Sequence, residues 1–268
     1  MRIVALLSAI AIGLPVAAHA NDFAGRFGGV TIGANAGAAF GRSRYATDPG
    51  CRRGGANATF CEAAPDASAV NGTAVAASGT GTLSDGAFTG GVQAGVNWQT
   101  GAFVFGAEGD VGVMRLQKSA SASGTFPFPF LGTRYTLTDS VSTDWLATVR
   151  ARLGFAITPQ LLIYATGGAA FTRVEFASRY ADNAIDANFP GGTGSGSIRT
   201  IKTGWTVGGG MQWALDRNWS VKAEYLYADF GSVSVPVPTS NTPAYSQTML
   251  VSSDLVAQLV RVGIDYRF

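Results

Sequence analysis

The charged residues whose spacing predicts a chemical role occur in closely spaced pairs inside apolar segments. Glu108 and Asp110 are two residues apart, as are Arg150 and Arg152 in a later segment. Side chains two apart in a β-strand share a face, so each pair points the same way. Two acidic and two basic residues on neighbouring strands predict an enclosed ion-pair network rather than a reactive centre. The other predicted members of this network are Lys222, Glu224, Arg261, Asp265 and Arg267.

Enclosed charges of this kind permit two interpretations. They form a mutually satisfied polar core that plugs an interior, or they line a path for ions. Each unpaired enclosed charge costs roughly several kcal/mol. The interior of a small barrel is about filled by its own side chains. The plug is therefore the favoured interpretation, and the ion path stays the alternative.

Catalytic chemistry has little support in this chain. Its single histidine, His19, lies in the N-terminal leader, so histidine-based triads, zinc sites and general bases are not expected. None of the three lysines follows a glycine in a phosphate-binding loop. Charged residues make up only 13% of the chain and the net charge is +2, which argues against a nucleic-acid partner. We predict neither an enzyme nor a cofactor or metal site.

The two cysteines, Cys51 and Cys61, are ten residues apart. In an exported protein they are expected to form a disulfide that closes a short loop, which contributes on the order of 3 kcal/mol by the chain-entropy estimate. A redox pair is the alternative. Unreduced peptide mapping should find the Cys51–Cys61 linkage, and free thiols in envelope-derived protein would argue against it.

The N-terminus has the pattern of an export signal. A basic residue, Arg2, precedes an apolar run, and Ala18-His19-Ala20 provides a small-x-small cleavage site. The predicted organisation is a cleaved signal peptide, residues 1–20, followed by one domain, residues 21–268.

The rest of the chain contains eight segments in which apolar residues alternate with polar residues or glycine, a period typical of β-strands. In the last one Val260, Val262 and Ile264 oppose Arg261 and Asp265. One segment, 161–174, is apolar on both faces, so its orientation is not predicted. The segments are 30–40, 88–98, 103–113, 145–155, 161–174, 205–213, 219–227 and 260–268.

The connections between these segments alternate between two kinds. Residues 99–102, 158–160 and 215–218 are short turns, whereas 41–85, 116–143, 175–202 and 231–254 are long and rich in Ser, Thr, Gly and Ala. Short turns at one end and long loops at the other are typical of outer-membrane barrels. The sequence thus predicts an all-β fold, an eight-stranded antiparallel up-and-down transmembrane β-barrel with short periplasmic turns and long extracellular loops.

The tryptophans fit such a barrel because all of them fall near strand ends. Aromatic residues form girdles at the two membrane interfaces of such proteins. Those beside short turns would form the periplasmic girdle, and those beside long loops the outer one. They are Trp98, Trp213 and Trp219 at the first interface, and Trp145 and Trp205 at the second.

Several segments resemble one family. Residues 144–157 (DWLATVRARLGFAI), 161–172 (LLIYATGGAAFT), 204–231 and 261–268 (RVGIDYRF) resemble the small alphaproteobacterial outer-membrane proteins of the porin-family, OmpA-like barrel group. The resemblance implies an eight-stranded barrel in the outer membrane of a Gram-negative host. It also implies that the barrel assembly machinery recognises the last strand, with periplasmic chaperones, outer-membrane lipid and lipopolysaccharide as further partners.

The terminal aromatic residues, Tyr266 and Phe268, are the predicted assembly signal. The final strand must close the barrel, since an unpaired strand edge is not tolerated in lipid. Removal of Phe268 should therefore sharply lower the yield of protein in the outer membrane.

The resemblance does not fix an activity. The favoured interpretation is a structural or surface role with a plugged lumen, and the alternative is a small porin-like channel for ions or small solutes. Adhesion through the loops, or haem binding through tyrosines such as Tyr45, Tyr180 or Tyr245, is less favoured. The extracellular ligand of the loops, if one exists, is not predicted.

Overall fold

The computed structural model describes residues 25–50, 67–127, 132–183, 191–242 and 245–268. These residues form antiparallel strands and one helix, α1 (Ala67–Ser78). Among the described residues, no helix has the length and apolar character needed to span a membrane. The strands are β1 (Gly29–Asp48), β2 (Gly81–Thr100), β3 (Phe103–Met114), β4 (Gln117–Thr125), β5 (Arg134–Ala156), β6 (Leu161–Asp182), β7 (Thr193–Ala214), β8 (Trp219–Thr242) and β9 (Tyr245–Arg267).

The strands close into a ring with eight walls. Each strand pairs with its sequence neighbour except β3 with β4; β9 pairs with β1, and β3 pairs with β5. The predicted count of eight differs from the nine strands described because one wall is broken. Both β3 and β4 pair with β5. Strand β3 pairs with the second half of β5, and β4 pairs with the first half of β5.

The break between β3 and β4 has a local cause. Leu116 turns inward and is buried, and its backbone N–H donates to Thr143 Oγ1 at 3.2 Å. The same hydroxyl donates to the carbonyl of Met114 at 2.7 Å. A shift of register in β5 between Thr143 and Leu146 lies opposite this break. The two irregularities compensate each other, so the ring stays closed below them.

The predicted short turns are confirmed. Residues 101–102, 157–160 and 215–218 connect consecutive strands at one end of the barrel. Gly101 has a φ of 60°, which favours glycine in its turn. Asp216 accepts backbone N–H bonds from Asn218 and Trp219, both at 2.7 Å. These two hydrogen bonds lower the pKa of this exposed carboxyl.

At the other end, the long segments predicted as loops are largely strand. The second half of β6 and the first half of β7 pair continuously from Arg173↔Ile201 to Ala181↔Thr193. Between β8 and β9 only residues 243–244 separate the strands. The long loops predicted at 116–143, 175–202 and 231–254 are instead, over most of their described residues, strands that continue the barrel wall as hairpins. Residues 41–85 contain the ends of β1 and β2 and helix α1.

We divide the barrel at the level of Trp145 and Trp205. The lower half lies between these residues and the short turns, and the upper half lies beyond them. In the lower half the apolar side chains point outward: Val149, Leu153 and Val262 are 62%, 69% and 64% exposed. Polar side chains fill its interior. This arrangement is expected of a wall that faces lipid.

The upper half is arranged in the opposite way. Its interior holds an apolar core to which several strands contribute, including Leu137, Phe176, Val237 and Val251, each almost fully buried. Helix α1 packs into this core through Val75, and Ser78 Oγ lies 2.9 Å from Tyr135 Oη. The upper half is therefore built like a water-soluble β-protein, with its hydrophobic core inside.

Strand β6, whose orientation the sequence does not predict, points its even-numbered residues inward. Leu162, Tyr164 and Thr166 face the lumen, whereas Ile163 faces outward. Its apolar character on both faces has a simple reason, since the strand contributes to the outer surface of the lower half and to the interior core.

Candidate functional site: an ion-pair cluster in the lumen

The lower half of the lumen contains a cluster of charged side chains from four strands. Strand β3 contributes Glu108 and Asp110, and its neighbour β5 contributes Arg150 and Arg152. On the far side of the ring, β8 contributes Lys222 and Glu224, and β9 contributes Arg261 and Asp265. All eight are buried. The inward position of each follows from the two-residue alternation of its strand.

Arg150 lies at the centre of this cluster. Its guanidinium donates to Glu108 Oε1 at 2.7 Å, to Asp110 Oδ2 at 3.0 Å and to Glu224 Oε1 at 2.9 Å. Its side chain has no exposed surface. Asp110 also accepts a 2.5 Å hydrogen bond from Thr148. Charge-assisted bonds of this kind are the strong ones in proteins.

Two basic residues connect the far wall to the near one. Arg261 donates to Asp110 Oδ1 at 2.9 Å and to Glu224 Oε2 at 2.7 Å. Lys222 Nζ donates to both oxygens of Glu108 at 2.8 Å. Strands β3 and β8 are four positions apart in the eight-walled ring, so the Lys222–Glu108 contact joins opposite walls.

Neutral polar residues complete the cluster at its edges. Gln93 Nε2 donates to Asp265 Oδ1 at 2.6 Å, and Lys222 Nζ lies 4.0 Å from the other oxygen of that carboxylate. Arg152 donates to Gln212 at 2.5 Å and lies 3.8 Å from Glu108.

Tyr164 bridges two charged members of the cluster. The guanidinium carbon of Arg152 lies 3.6 Å from the centre of its ring, and its hydroxyl donates to Glu224 at 3.2 Å. Sequence reasoning missed this residue because the orientation of β6 was not predicted. The two-residue alternation places Gln93 and Gln212 on the inward faces of their strands, but it does not identify the partners of uncharged residues.

Two inward-facing glycines leave space for these side chains. A β-carbon on Gly33 would collide with the carboxylate of Asp265, and one on Gly210 would collide with the hydroxyl of Tyr164. The absence of side chains at these two glycines therefore provides the room in the lumen that Asp265 and Tyr164 occupy.

The cluster is electrically balanced. Four acidic residues, Glu108, Asp110, Glu224 and Asp265, face four basic ones, so the sum of formal charges is zero. Within the described residues, the atoms left without a hydrogen-bond partner include the Nε atoms of Arg150, Arg152 and Arg261. The arrangement holds charge in place, and it presents no nucleophile paired with a base.

Arg267, predicted as a ninth member, is not part of the cluster. It lies at the end of β9, and its guanidinium donates to the backbone carbonyls of Gly25, Gly28 and Arg217. Alternation predicts the face correctly but does not give the height along the barrel axis, which separates Arg267 from the charges above it.

The five tryptophans all lie on the outer surface. Trp98 stacks on Phe105 with ring centres 5.8 Å apart, and Trp219 packs edge to face on Tyr266 at 5.0 Å. Trp213 is also exposed near the short turns. These contacts form an aromatic band at the lower edge of the barrel.

At the upper boundary Trp205 packs on Tyr227 at 5.3 Å, and Trp145 lies on the outer face of β5. At the C-terminus Tyr266 contacts Phe268, which is 73% exposed, and the backbone N–H of Phe268 donates to Val30. The last residue is therefore held against the first strand while its ring stays on the surface.

Other predicted sites have different outcomes. Cys51 and Cys61 lie outside the described residues, as does the predicted signal peptide, so both stay predictions. Tyr45 and Tyr180 are buried in the upper core, and Tyr180 donates to Asp182 at 2.8 Å. Burial raises the pKa of both hydroxyls. The side chain of Tyr245 is outside the described residues.

Comparison with known proteins accounts for this architecture. A family model described as "Outer membrane protein beta-barrel domain" matches residues 4–268. The chain belongs to this family. It is an outer-membrane β-barrel protein, and the outward apolar surface of its lower half is the surface that faces lipid.

Its relatives are alphaproteobacterial proteins of the outer membrane. The chain is 35% identical over 192 residues to the 31 kDa outer-membrane immunogenic protein of Brucella melitensis biotype 1, covering 71% of this chain and 70% of that protein. It is 29% identical over 145 residues to the 22 kDa outer membrane protein of Rhizobium leguminosarum bv. viciae, covering 54% of each. Both names agree with the family resemblance inferred from the sequence.

Solved structures of small barrels also match. The outer membrane protein OprG from Pseudomonas aeruginosa aligns with a TM-score of 0.42 at 11% identity, covering 90% of this chain and 97% of that one. A similarity at this level adds nothing about the activity of the chain.

Proposed function

We propose that the protein is a non-conducting structural barrel of the outer membrane, with its lumen sealed by the ion-pair cluster and its upper half presented at the cell surface. The observation that carries the proposal is the contact of Lys222 on β8 with Glu108 on the opposite wall. Side chains from facing walls meet directly, which leaves little room for water or an ion between them.

The electrostatics of the cluster support the same proposal. A conducting lumen needs sites that an ion enters easily and leaves easily. Here each carboxylate already has at least one basic partner within 4.0 Å, so a passing cation would have to displace a bound arginine or lysine. Separating a buried ion pair of this kind costs about 3–5 kcal/mol. The balanced charge also gives neither cations nor anions a preferred entrance.

A second obstacle lies above the cluster. The apolar core of the upper half fills the interior with buried side chains such as Leu226, Phe230 and Leu259. Hydrophobic constrictions exclude water and therefore ions. A solute would have to pass both the apolar core and the ion-pair cluster.

A surface role of the upper half is the second part of the proposal. The Brucella relative is named as immunogenic, and the upper half here is a folded structure beyond the lipid-facing wall. We propose no enzymatic role. Haem binding is not favoured, because Tyr45 and Tyr180 are largely buried.

Single-channel recording in a planar bilayer tests the sealed lumen. We expect refolded wild-type protein, free of porin contaminants, to show no steady conductance steps. The double variant Arg150→Ala, Arg152→Ala removes two large side chains and leaves acidic partners unpaired, so we expect it to pass cations once the apolar core above it is also opened by Leu226→Ala, Phe230→Ala. Arg44→Ala, which removes an exposed ion pair of the upper half, serves as the matched control and should stay silent.

The alternative function, a small porin-like channel, makes the opposite prediction. Wild-type protein would then show reproducible steps whose ion selectivity shifts when Arg150 and Arg152 are replaced. Steady wild-type conductance would overturn the proposed seal.

A further inference from the structure

One sector of the outer surface differs from the rest immediately above the lipid-facing wall. On β6 and β7 the outward positions beyond Trp205 carry Arg173 and Arg199, and Asp144 and Glu175 lie beside them. The Arg173↔Ile201 pair lies four residues above the Ala169↔Trp205 pair, about 13 Å along the strand. The arginines thus face the level at which the headgroups of the outer leaflet begin.

The ion pairs in this sector are long. Arg173 lies 3.5 Å from Asp144, and Arg199 lies 3.7 Å from Asp144 and 3.9 Å from Glu175. These separations exceed those of hydrogen-bonded pairs, and the side chains of Arg199, Asp144 and Glu175 are more than half exposed. The guanidinium groups are therefore near carboxylates without being saturated by them.

Further up the same face the surface becomes a groove rich in hydroxyl groups. It has a volume of about 720 Å³ and is lined by residues of β5, β6, β7 and β8, including Thr136, Thr138, Arg179, Thr193 and Ser195. The register aligns them in rows above the lower arginines, with Thr138↔Arg179 and Arg179↔Ser195 in one row. Small residues, Ala177 and Ser197, separate the two regions.

We propose that this face binds a phosphorylated glycolipid of the outer leaflet, of the lipopolysaccharide type. The acyl chains would lie against Phe171 and Ile201, the phosphates against Arg173 and Arg199, and the adjoining sugars in the groove beside Arg179. The sector has three basic and two acidic residues, a net charge of +1, which complements an anionic headgroup. The site is continuous with the lipid-facing wall, so an amphiphile fits it better than a soluble sugar or free phosphate.

The carboxylates have a defined place in this arrangement. Carboxylates such as those of Asp144 and Glu175 provide the oxygen ligands that hard divalent cations take, and phosphates provide them as well. When the glycolipid is bound, its phosphates replace the carboxylates as partners of the guanidinium groups. A divalent cation can then bridge a phosphate and a released carboxylate.

The other side of the ring provides a matched control. Arg44 on β1, four walls from β6, is as exposed as Arg199 and pairs with Asp254 at 3.2 Å. Its partner also accepts from the Arg44 backbone N–H at 2.5 Å. This arginine is held by a short pair. The groove that it lines is smaller, about 450 Å³, and lies mainly on other walls of the ring, with Ser232 and Ser252 among its lining residues.

The test measures binding of four probes to the refolded full-length chain in detergent: bisphosphorylated lipid A, dephosphorylated lipid A, lipid A extended by its inner-core sugars, and inorganic phosphate. We expect Arg173→Gln, Arg199→Gln to weaken the binding of bisphosphorylated lipid A by about 25-fold, roughly 5-fold for each charge. Binding of dephosphorylated lipid A should not change. Arg44→Gln should stay within about twofold of wild type on every probe.

Arg179→Gln separates the sugar contacts from the phosphate contacts. It should reduce only the additional affinity that the inner-core sugars confer. Retained secondary structure and heat-dependent migration on gels show that each variant is folded. Equal loss in the Arg44 variant, equal binding of phosphorylated and dephosphorylated lipid A, or binding of inorganic phosphate as tight as that of lipid A would each overturn the proposal. None of these outcomes depends on whether the lumen conducts.

Discussion

The lower and upper halves of the barrel use the same strands in opposite ways. In β9, Arg261 and Asp265 point inward below, and Val251 and Leu255 point inward above, all on the same face of one strand. The opposite face carries Val262 below and Asp254 above. The alternation itself does not change. What changes is the medium outside, from lipid to water.

This contrast shows that burial and polarity are separate properties in a barrel of this kind. In the lower half the buried side chains are the polar ones, and their stability depends on mutual pairing. In the upper half the buried side chains are apolar, and their stability depends on removal from water. The two halves should therefore respond differently to substitution, and the following predictions test that difference.

The largest effect is expected for Arg150→Ala in the lower half. The change leaves Glu108, Asp110 and Glu224 without their shared partner, and breaking a buried network on one side costs about 3–5 kcal/mol. Urea titration of the folded barrel in detergent measures the loss. The control Arg44→Ala, at an exposed pair, should cost less than about 1 kcal/mol, and equal losses in both variants would contradict the contrast.

Leu137→Ala should destabilise the upper half without affecting the lower. Leu137 is 1% exposed in the upper core, and such truncations cost about 2–5 kcal/mol. Hydrogen exchange should show faster opening of the upper strands, while the lipid-embedded amides stay protected. Leu153→Ala, on the lipid-facing surface, is the control and should leave the upper strands unchanged. Uniform loss of protection along β5 would indicate that the two halves unfold as one unit.

Thr143→Val tests the junction between the halves. The change removes the hydroxyl that bonds to Leu116 and Met114 and leaves buried backbone groups unsatisfied, which costs about 1–3 kcal/mol. Thermal unfolding of the upper half should shift downward, and Thr143→Ser should restore most of the loss. If the valine variant is as stable as the wild type, the Thr143 hydroxyl does not stabilise the chain at the break between β3 and β4.

Asp139→Asn should alter the pH dependence of the upper half. Burial raises the pKa of Asp139, whose Oδ1 has no hydrogen-bond partner. The folded state therefore binds this proton more tightly than the unfolded chain, so its contribution to stability is complete below the unfolded pKa. The contribution is lost as pH rises through the folded pKa.

The asparagine variant should lack this loss and should be more resistant to proteolysis of the upper half at neutral pH. Asp144→Asn, at an exposed carboxyl, is the control and should follow the wild-type profile. A wild-type profile that stays flat from acid to neutral pH would show that Asp139 does not destabilise the folded upper half.

The lower half could be predicted from the sequence because lipid imposes a strict apolar alternation on its outer face. Segments such as 260–268 show that alternation directly, and the inward charges follow from it. The upper half is not predicted because its strands carry many small and polar residues on both faces, so the alternation in residue type is weak there. In β7 the stretch 193–200 contains a single large apolar residue, Ile198, and Pro236 and Pro238 in β8 argue against a strand in sequence terms.

The limits of prediction in the cluster are also physical. The facing pairs Glu108↔Arg150 and Glu224↔Arg261 follow from strand adjacency. Contacts across the lumen, such as Lys222 with Glu108, depend on the tilt and diameter of the closed ring, which no local pattern encodes. The same holds for the position of Arg267 at the end of the barrel axis.

The inward apolar core of the upper half has a consequence for the direction in which the chain can move. To reach the outside, these hairpins must cross the membrane before Leu137, Phe176 and Val251 have packed together. Once they have packed, the upper half is a folded structure above the membrane-embedded lower half. Movement of the barrel back toward the periplasm would require that core to unfold first, so folding of the upper half outside the cell makes insertion hard to reverse.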